Sequence, residues 1–278
     1  MTDLGYGGRL PEWGETRHRE HTPLGREGAI DMDLIARAAG WAEEMLGGES
    51  PLWLHVRKVV ELCGQILPPG AMMPGAAGAS RTAGVAGTAG STGAASAAGS
   101  TGAAGAAGTP GAAGAAATSG AGTPVDREIL LLAAYLHDVG YATGPPPGHE
   151  VRSAEMAREF LLSNGVPAER VERVVQTILA HVRPVYGEQR EKLSPEAKIL
   201  YDADKLQRAS GLTALGVIWE AARESPDQSP ADFRSLLAQA RRQQEDVYGS
   251  LYTDRARQLA SEGYRAALNF IDALSRLV

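Results

Sequence analysis

Apolar and polar positions along this chain recur with a helical period, and no window shows a sustained strand period bounded by turn residues. Nine stretches carry apolar residues at spacings of three and four and are predicted helices: 31–46, 51–67, 126–138, 149–164, 167–181, 195–208, 212–223, 231–247 and 253–277. Their boundary signals agree. Ser50-Pro51 and Ser194-Pro195 put an N-cap before a first-turn proline, and Gly47-Gly48, Gly165 and Gly211 follow helix ends. The expected fold class is all-α, a helical bundle.

One predicted helix departs from the amphipathic pattern. Residues 128–136 read EILLLAAYL, apolar all round, so this helix is expected to be buried on most of its surface. His137 and Asp138 follow at its end. An ionised carboxylate beside such a core is costly unless it is solvated at an open helix end or met by a cation.

Composition divides the chain. From 70 to 123 it is almost entirely Gly, Ala, Ser and Thr, and Gly falls on most positions divisible by three between Gly75 and Gly120, with exceptions at Arg81, Ser96 and Ala117. That period resembles collagen, but Pro is scarce and the repeat is broken. A triple helix would also separate flanking helices that must meet if they share a site, at about 3 Å per residue. The stretch 70–123 is therefore expected to be a long disordered Gly/Ala-rich insertion, dispensable for chemistry. The expected organisation is a flexible tail over 1–30 and one helical domain built from 31–69 and 124–278.

A net charge of −6 argues against a general electrostatic grip on nucleic acid or an anionic membrane, so an anionic substrate would need a local positive site. No run of 18 apolar residues appears and the N-terminus lacks the layout of a signal peptide, so a soluble, cytoplasmic protein is expected. The single cysteine, Cys63, has no partner for an internal disulfide and is assigned to the core. Trp13, Trp41, Trp53 and Trp219 either fill the core or mark the contact of a homo-oligomer.

The histidines change the picture most. Of the six, His18 and His21 lie in the polar stretch RHREH and read as solvated. His55 shares a helix face with Val59, Leu62 and Ile66, His149 with Ser153, Met156 and Phe160, and His181 with Val174 and Ile178. Taken singly, each reads as a core histidine bonded to a backbone carbonyl. Independent core histidines do not explain Asp138, however, nor Asp204, which lies on an apolar face with Ala197 and Leu200. Asp204 has an alternative partner in Arg208, one turn on, and Asp202 falls on a different face. A divalent metal accounts for the collection economically, because imidazole nitrogens and carboxylate oxygens suit such ions.

The order His55, His137-Asp138, Asp204 on helices resembles the HD superfamily of metal-dependent phosphohydrolases. LHDVGYA resembles the family's HD-[IV]-G turn, GHEVRSAEMAREFL its H-x3-SA-x2-A-x2-FL helix, VQTILAH the helix ending in histidine, and ILYDADKLQRASG its DAD-[KR]-L-[DQ] segment. The stretch TDRARQLASEGYRAALNFIDAL is similar to the closing helix of small bacterial members.

The resemblance implies that His55, His137, Asp138 and Asp204 ligate one divalent ion (Mn, Mg, Co, Ni, Fe or Zn), with Asp202 beside them. His149 and His181 would hold a second ion or face the substrate phosphate. It implies hydrolysis of a phosphate ester or anhydride by metal-activated water, Asp138 orienting or deprotonating that water. His149, His181 and Lys205 would meet phosphate oxygens, ahead of Arg57, Arg152 and Arg183. A nucleotide is the favoured substrate; the alternative is a non-catalytic metal- or nucleotide-binding regulatory module. The HHE-x2-DG-x-GYP signature of the cyclic-dinucleotide branch is replaced here by AHVRPVYGEQR, which disfavours that activity.

Overall fold

The computed structural model describes residues 30–67, 124–184, 186–224 and 229–277. Almost all of the expected N-terminal tail, with His18, His21 and Trp13, and the Gly/Ala-rich stretch over 70–123 lie outside the described residues. The described residues form ten α-helices and no strand: α1 (Met32–Leu46), α2 (Pro51–Ile66), α3 (Arg127–Leu136), α4 (His149–Ser163), α5 (Ala168–Leu179), α6 (Glu188–Lys192), α7 (Pro195–Gln207), α8 (Thr213–Glu224), α9 (Pro230–Ser250) and α10 (Asp254–Ser275). The described residues adopt the expected all-α fold.

The first turns are closed as the sequence signals indicate. Ser50 Oγ accepts from the Trp53 N–H at 3.0 Å and Ser194 Oγ from the Ala197 N–H at 3.1 Å, each ahead of a proline at the first helical position. Asp31 and Asp126 cap α1 and α3 in the same way.

The apolar helix α3 is the central member of the bundle. Its residues from Glu128 to Leu136 are buried apart from Tyr135, and they meet α1, α2, α5 and α7 in one continuous core. Its N-terminal end is tied down by polar contacts. Glu128 accepts from the Asp31 N–H at 2.9 Å and pairs with Arg170 at 2.9 Å, and Glu196 accepts from the Asp126 N–H at 2.6 Å. The helix is thus a fixed mount whose C-terminal end points into the bundle. Trp53, stacked near Tyr135, and Trp41, stacked on Phe160, serve the core, as does Cys63; Trp219 is 69% exposed.

Two local departures from the expected helices have physical causes. Helix α6 is five residues of polar sequence with nothing buried, so it leaves no apolar period to read. Helix α7 ends at Gln207, and Gly211 stands in the break before α8, as its place in the sequence indicates, but the link carries an extra turn. That turn, over Arg208–Leu212, is kinked at Gly211, which takes a non-helical φ of 116°. Such a turn frees backbone groups, and the buried Gln244 of α9 meets them: its amide donates to Arg208 O at 3.1 Å and Ala209 O at 2.8 Å, and its oxygen accepts from the Ala214 N–H at 3.0 Å. Helices α8, α9 and α10 close around a smaller cluster of Ala214, Leu237, Ala240, Ala267 and Ile271.

Candidate metal centre

Helix α3 ends at Leu136, two residues earlier than its sequence pattern indicates, and Asp138 leaves the helix at φ −113°, ψ 3° before a short 3-10 turn over Val139–Ala142. This conformation, sparsely populated and frequent in active sites, brings the Asp138 carboxylate back beside the His137 ring instead of letting the two side chains diverge as on a continuous helix. His137 is fully buried and Asp138 is 5% exposed. The carboxylate is not solvated at an open helix end.

Three histidines are set by the same device. His137 Nδ1 lies 2.9 Å from Ala134 O, His149 Nδ1 2.9 Å from Pro146 O, and His181 Nδ1 2.5 Å from Ile178 O. A carbonyl only accepts, so each neutral ring carries its proton on Nδ1 and turns a bare Nε2 inward. All three inward nitrogens face Asp138. Its Oδ2 lies 3.4 Å from His137 Nε2 and 3.6 Å from His55 Nε2; its Oδ1 lies 3.5 Å from His149 Nε2 and 3.7 Å from His181 Nε2. The carboxylate therefore has two sides, with a pair of imidazoles on each. Asp204 joins the first side, its Oδ1 3.0 Å from His55 Nε2, while its Oδ2 meets Lys205 Nζ.

This donor set fits a cation. His149 Nε2 and His181 Nε2 are 3.3 Å apart, and two bare lone pairs at that distance repel unless something positive lies between them. His137 Nε2 is buried with no hydrogen-bond partner, a cost that a ligated ion removes. One donor atom each from His55, His137 and Asp204 falls within 4.8 Å of the others, and the same holds for His137, Asp138 and His181. The electrostatics agree. Burial alone would push Asp138 up, but the surrounding His137 and His181 rings bring its carboxyl down to about 2. Burial likewise opposes ionisation of Asp204, and the His55 contact and the Lys205 charge overcome it, holding that carboxyl well below the usual range. Burial lowers His137, favouring the neutral ring that a metal requires, while the bond to Asp204 raises His55.

The close approach of α4 completes the site. Gly140 donates its N–H to Ser153 Oγ at 2.8 Å, and a Cβ at position 140 would stand 2.3 Å from His149 O. Tyr141, which the residue pattern does not single out, stacks on the His149 ring with centroids 4.3 Å apart and an angle of 26°. Its only sequence signal is its place immediately after the HDVG turn.

Several expectations are corrected. Asp204 pairs with His55 and Lys205, and no ion pair joins it to Arg208 among the described residues. Asp202 lies outside the cluster: its Oδ1 accepts from the Tyr252 N–H at 2.7 Å, and its Oδ2 from the Thr253 N–H at 2.7 Å and the Thr253 hydroxyl at 2.6 Å, fixing the junction of α9 and α10. Arg152 is not free to meet a phosphate, since its guanidinium is bonded to the carbonyls of Gly140, Pro145 and Pro147. Arg57 and Arg183 are exposed. From the position of Asp202 we expect Asp202→Asn to lower stability by about 1–3 kcal/mol through the lost charged acceptor while leaving divalent-metal stoichiometry unchanged. Urea unfolding and metal titration check this, and loss of metal with unchanged stability would contradict it.

Comparison with known proteins places the site in a family stretch. Residues 103–209, which contain His137, Asp138, His149, His181 and Asp204, match the family model of the HD domain. An uncharacterised protein of Clostridium beijerinckii is 36% identical over 88 residues, 30% of this chain and 50% of that protein, so the chain spans about half the length of the curated relative it matches. In structure the chain is similar to Bacillus subtilis YpgQ, solved in complex with ADP, at 18% identity and a TM-score of 0.50 over 88% of this chain and 95% of that one. It is also similar to the Lin1889 protein of Listeria innocua, at 15% identity and a TM-score of 0.49 over 87% of this chain and 93% of the other. The likeness to YpgQ is one of fold.

Proposed function

The chain belongs to the HD superfamily, whose members are generally metal-dependent phosphohydrolases, and on that premise we propose that it hydrolyses a phosphate ester or anhydride of a nucleotide. The observation that carries this reading is the two-sided surrounding of Asp138, with His55 and His137 at one oxygen and His149 and His181 at the other.

His55, His137, Asp138 and Asp204 would hold one divalent ion, and Asp138, His149 and His181 offer the donors for a second. A divalent ion held by these residues would supply Lewis acidity toward a phosphoryl oxygen and toward water near neutral pH. Asp138, ionised throughout the neutral range, acts as ligand and acceptor and orients the attacking water rather than storing its proton. The Nε2 atoms of His149 and His181 line the side of the cluster away from His55, where they would meet either that second ion or the substrate phosphate. Lys205 Nζ neutralises Asp204 and is the positive group nearest the cluster for a phosphate oxygen to meet. Exposed Arg57, Arg183 and Arg208 add positive charge to a chain whose net charge is negative. A nucleotide is favoured because the similarly folded YpgQ binds ADP.

The test is a screen of nucleoside mono-, di- and triphosphates with added Mn²⁺, Mg²⁺, Co²⁺ or Ni²⁺, reading phosphate and pyrophosphate separately. Release of either, dependent on the metal and lost with chelator, is the expected result. Tight metal binding without turnover of any nucleotide would replace this reading with a binding module, and hydrolysis unaffected by stripping metal would remove the mechanism.

A further inference from the structure

The stretch from within the 3-10 turn to the start of α4, residues 140–148, reads GYATGPPPG. Its three consecutive prolines contribute carbonyls without amides, and while Pro146 O accepts from the His149 N–H at 3.3 Å, Pro145 O and Pro147 O are met by a side chain. Arg152, one turn into α4, supplies the donors. Its Nε donates to Gly140 O at 3.0 Å, its Nη1 to Pro147 O at 3.1 Å and its Nη2 to Pro145 O. The loop also leaves room for the group: a Cβ at position 144 would stand 3.0 Å from Arg152 Nε. A single planar guanidinium thus gathers carbonyls from both ends of the loop, which the fork of N–H groups on arginine permits and a lysine ammonium does not.

The carbonyl between the two proline acceptors is the one that matters for the site. Pro146 O accepts from His149 Nδ1 at 2.9 Å. Because Pro146 O also accepts from the His149 N–H, closing the turn into α4, and Arg152 holds the carbonyls on either side, the Pro146 carbonyl is set in place. With its proton held on Nδ1, His149 turns Nε2 toward Asp138 Oδ1 at 3.5 Å and His181 Nε2 at 3.3 Å.

We propose that Arg152 is a positioning residue, holding the 140–148 loop in the shape that presents the Pro146 carbonyl to His149 and thereby fixing the tautomer in which His149 serves the Asp138 cluster. The inference rests on the metal-site reading above for its consequence but not for its geometry. The guanidinium acts through backbone carbonyls and never touches the reacting groups. Outer partners of this kind change metal affinity by about 10–100-fold when removed.

The experiment uses the full chain with Arg152→Met and Arg152→Lys. Histidine side-chain nitrogen NMR on the metal-free protein, at a pH where the rings are neutral, reads the His149 tautomer; titration with Mn²⁺ or Co²⁺ reads metal affinity. In the wild type His149 should be the Nδ1–H tautomer. Arg152→Met should show both tautomers and bind metal about 10–100-fold more weakly where His149 contributes, an effect matching that of His149→Ala. Arg152→Lys should follow Arg152→Met, because the three carbonyls are met by Nε, Nη1 and Nη2 spread across the guanidinium and one ammonium nitrogen cannot stand at all three places; it also decides the matter if circular dichroism finds Arg152→Met unfolded. A wild-type tautomer in either variant overturns the proposal. The metal-free NMR result stands whether or not the chain hydrolyses nucleotides, so a failure of the phosphohydrolase reading is distinguishable from a failure of the clasp.

Discussion

Asp138→Ala is expected to abolish divalent-metal uptake and to cut hydrolysis by about a thousandfold or more, the equivalent of the several kcal/mol a metal contributes to phosphoryl chemistry. The reason is its position. Each of its oxygens faces two imidazole nitrogens between 3.4 and 3.7 Å away, so one substitution removes the negative charge that both halves of the cluster share. Single histidine variants should be milder and one-sided: His55→Ala should weaken the half that includes Asp204, and His149→Ala the half that includes His181. Metal content after dialysis, read with the turnover of whichever nucleotide the screen identifies, checks this. Metal retained at wild-type stoichiometry by Asp138→Ala would exclude the carboxylate as the shared ligand. The variant should still fold, since Asp138 lies past the end of α3 and the helix keeps its packing and its N-terminal ties.

The part of this site legible in the sequence is the part that periodicity and neighbouring residue types encode. Helical spacing alone puts His55, His149 and His181 on apolar faces, and the unbroken apolar run of α3 marks the mount on which His137 and Asp138 sit. What the sequence conceals is pairing across long separations and the conformation of single residues. His55 meets Asp204 across 149 positions, a contact fixed by packing among α2, α3 and α7 rather than by any local pattern. The divided surroundings of Asp138 follow from one residue leaving the helical region at φ −113°, which no propensity announces. Asp202 and Asp204 look alike in the DAD triplet, yet they sit two positions apart on a helix, about 200° around its axis. One therefore faces the histidines and the other the α9–α10 junction. Arg152 could be read as a phosphate contact only because the carbonyls that occupy it belong to backbone, which side-chain chemistry does not reveal.

Gly140→Ala should be the most damaging single-methyl change in the described residues near the site. Gly140 is not held at a positive φ, so the demand on it is space rather than conformation. A Cβ there would lie 2.3 Å from His149 O, 2.6 Å from Ser153 N and 2.8 Å from Ser153 Oγ. The first two belong to the backbone of α4 and cannot rotate aside, so the helix must retreat and carry His149 with it. We expect a loss of about 3 kcal/mol in urea unfolding, the upper part of the range for inserting a methyl into a packed interior. Weakened metal binding on the His149 and His181 side should accompany it. Ser153→Ala is the control, because it removes the 2.8 Å bond from the Gly140 N–H but leaves the space open, and it should cost only about 1 kcal/mol. Equal losses in the two variants would mean that the hydrogen bond, not the approach of α4, is what position 140 protects. A Gly140→Ala protein with wild-type stability and metal affinity would show that α4 can shift freely, contradicting the rigid placement of His149.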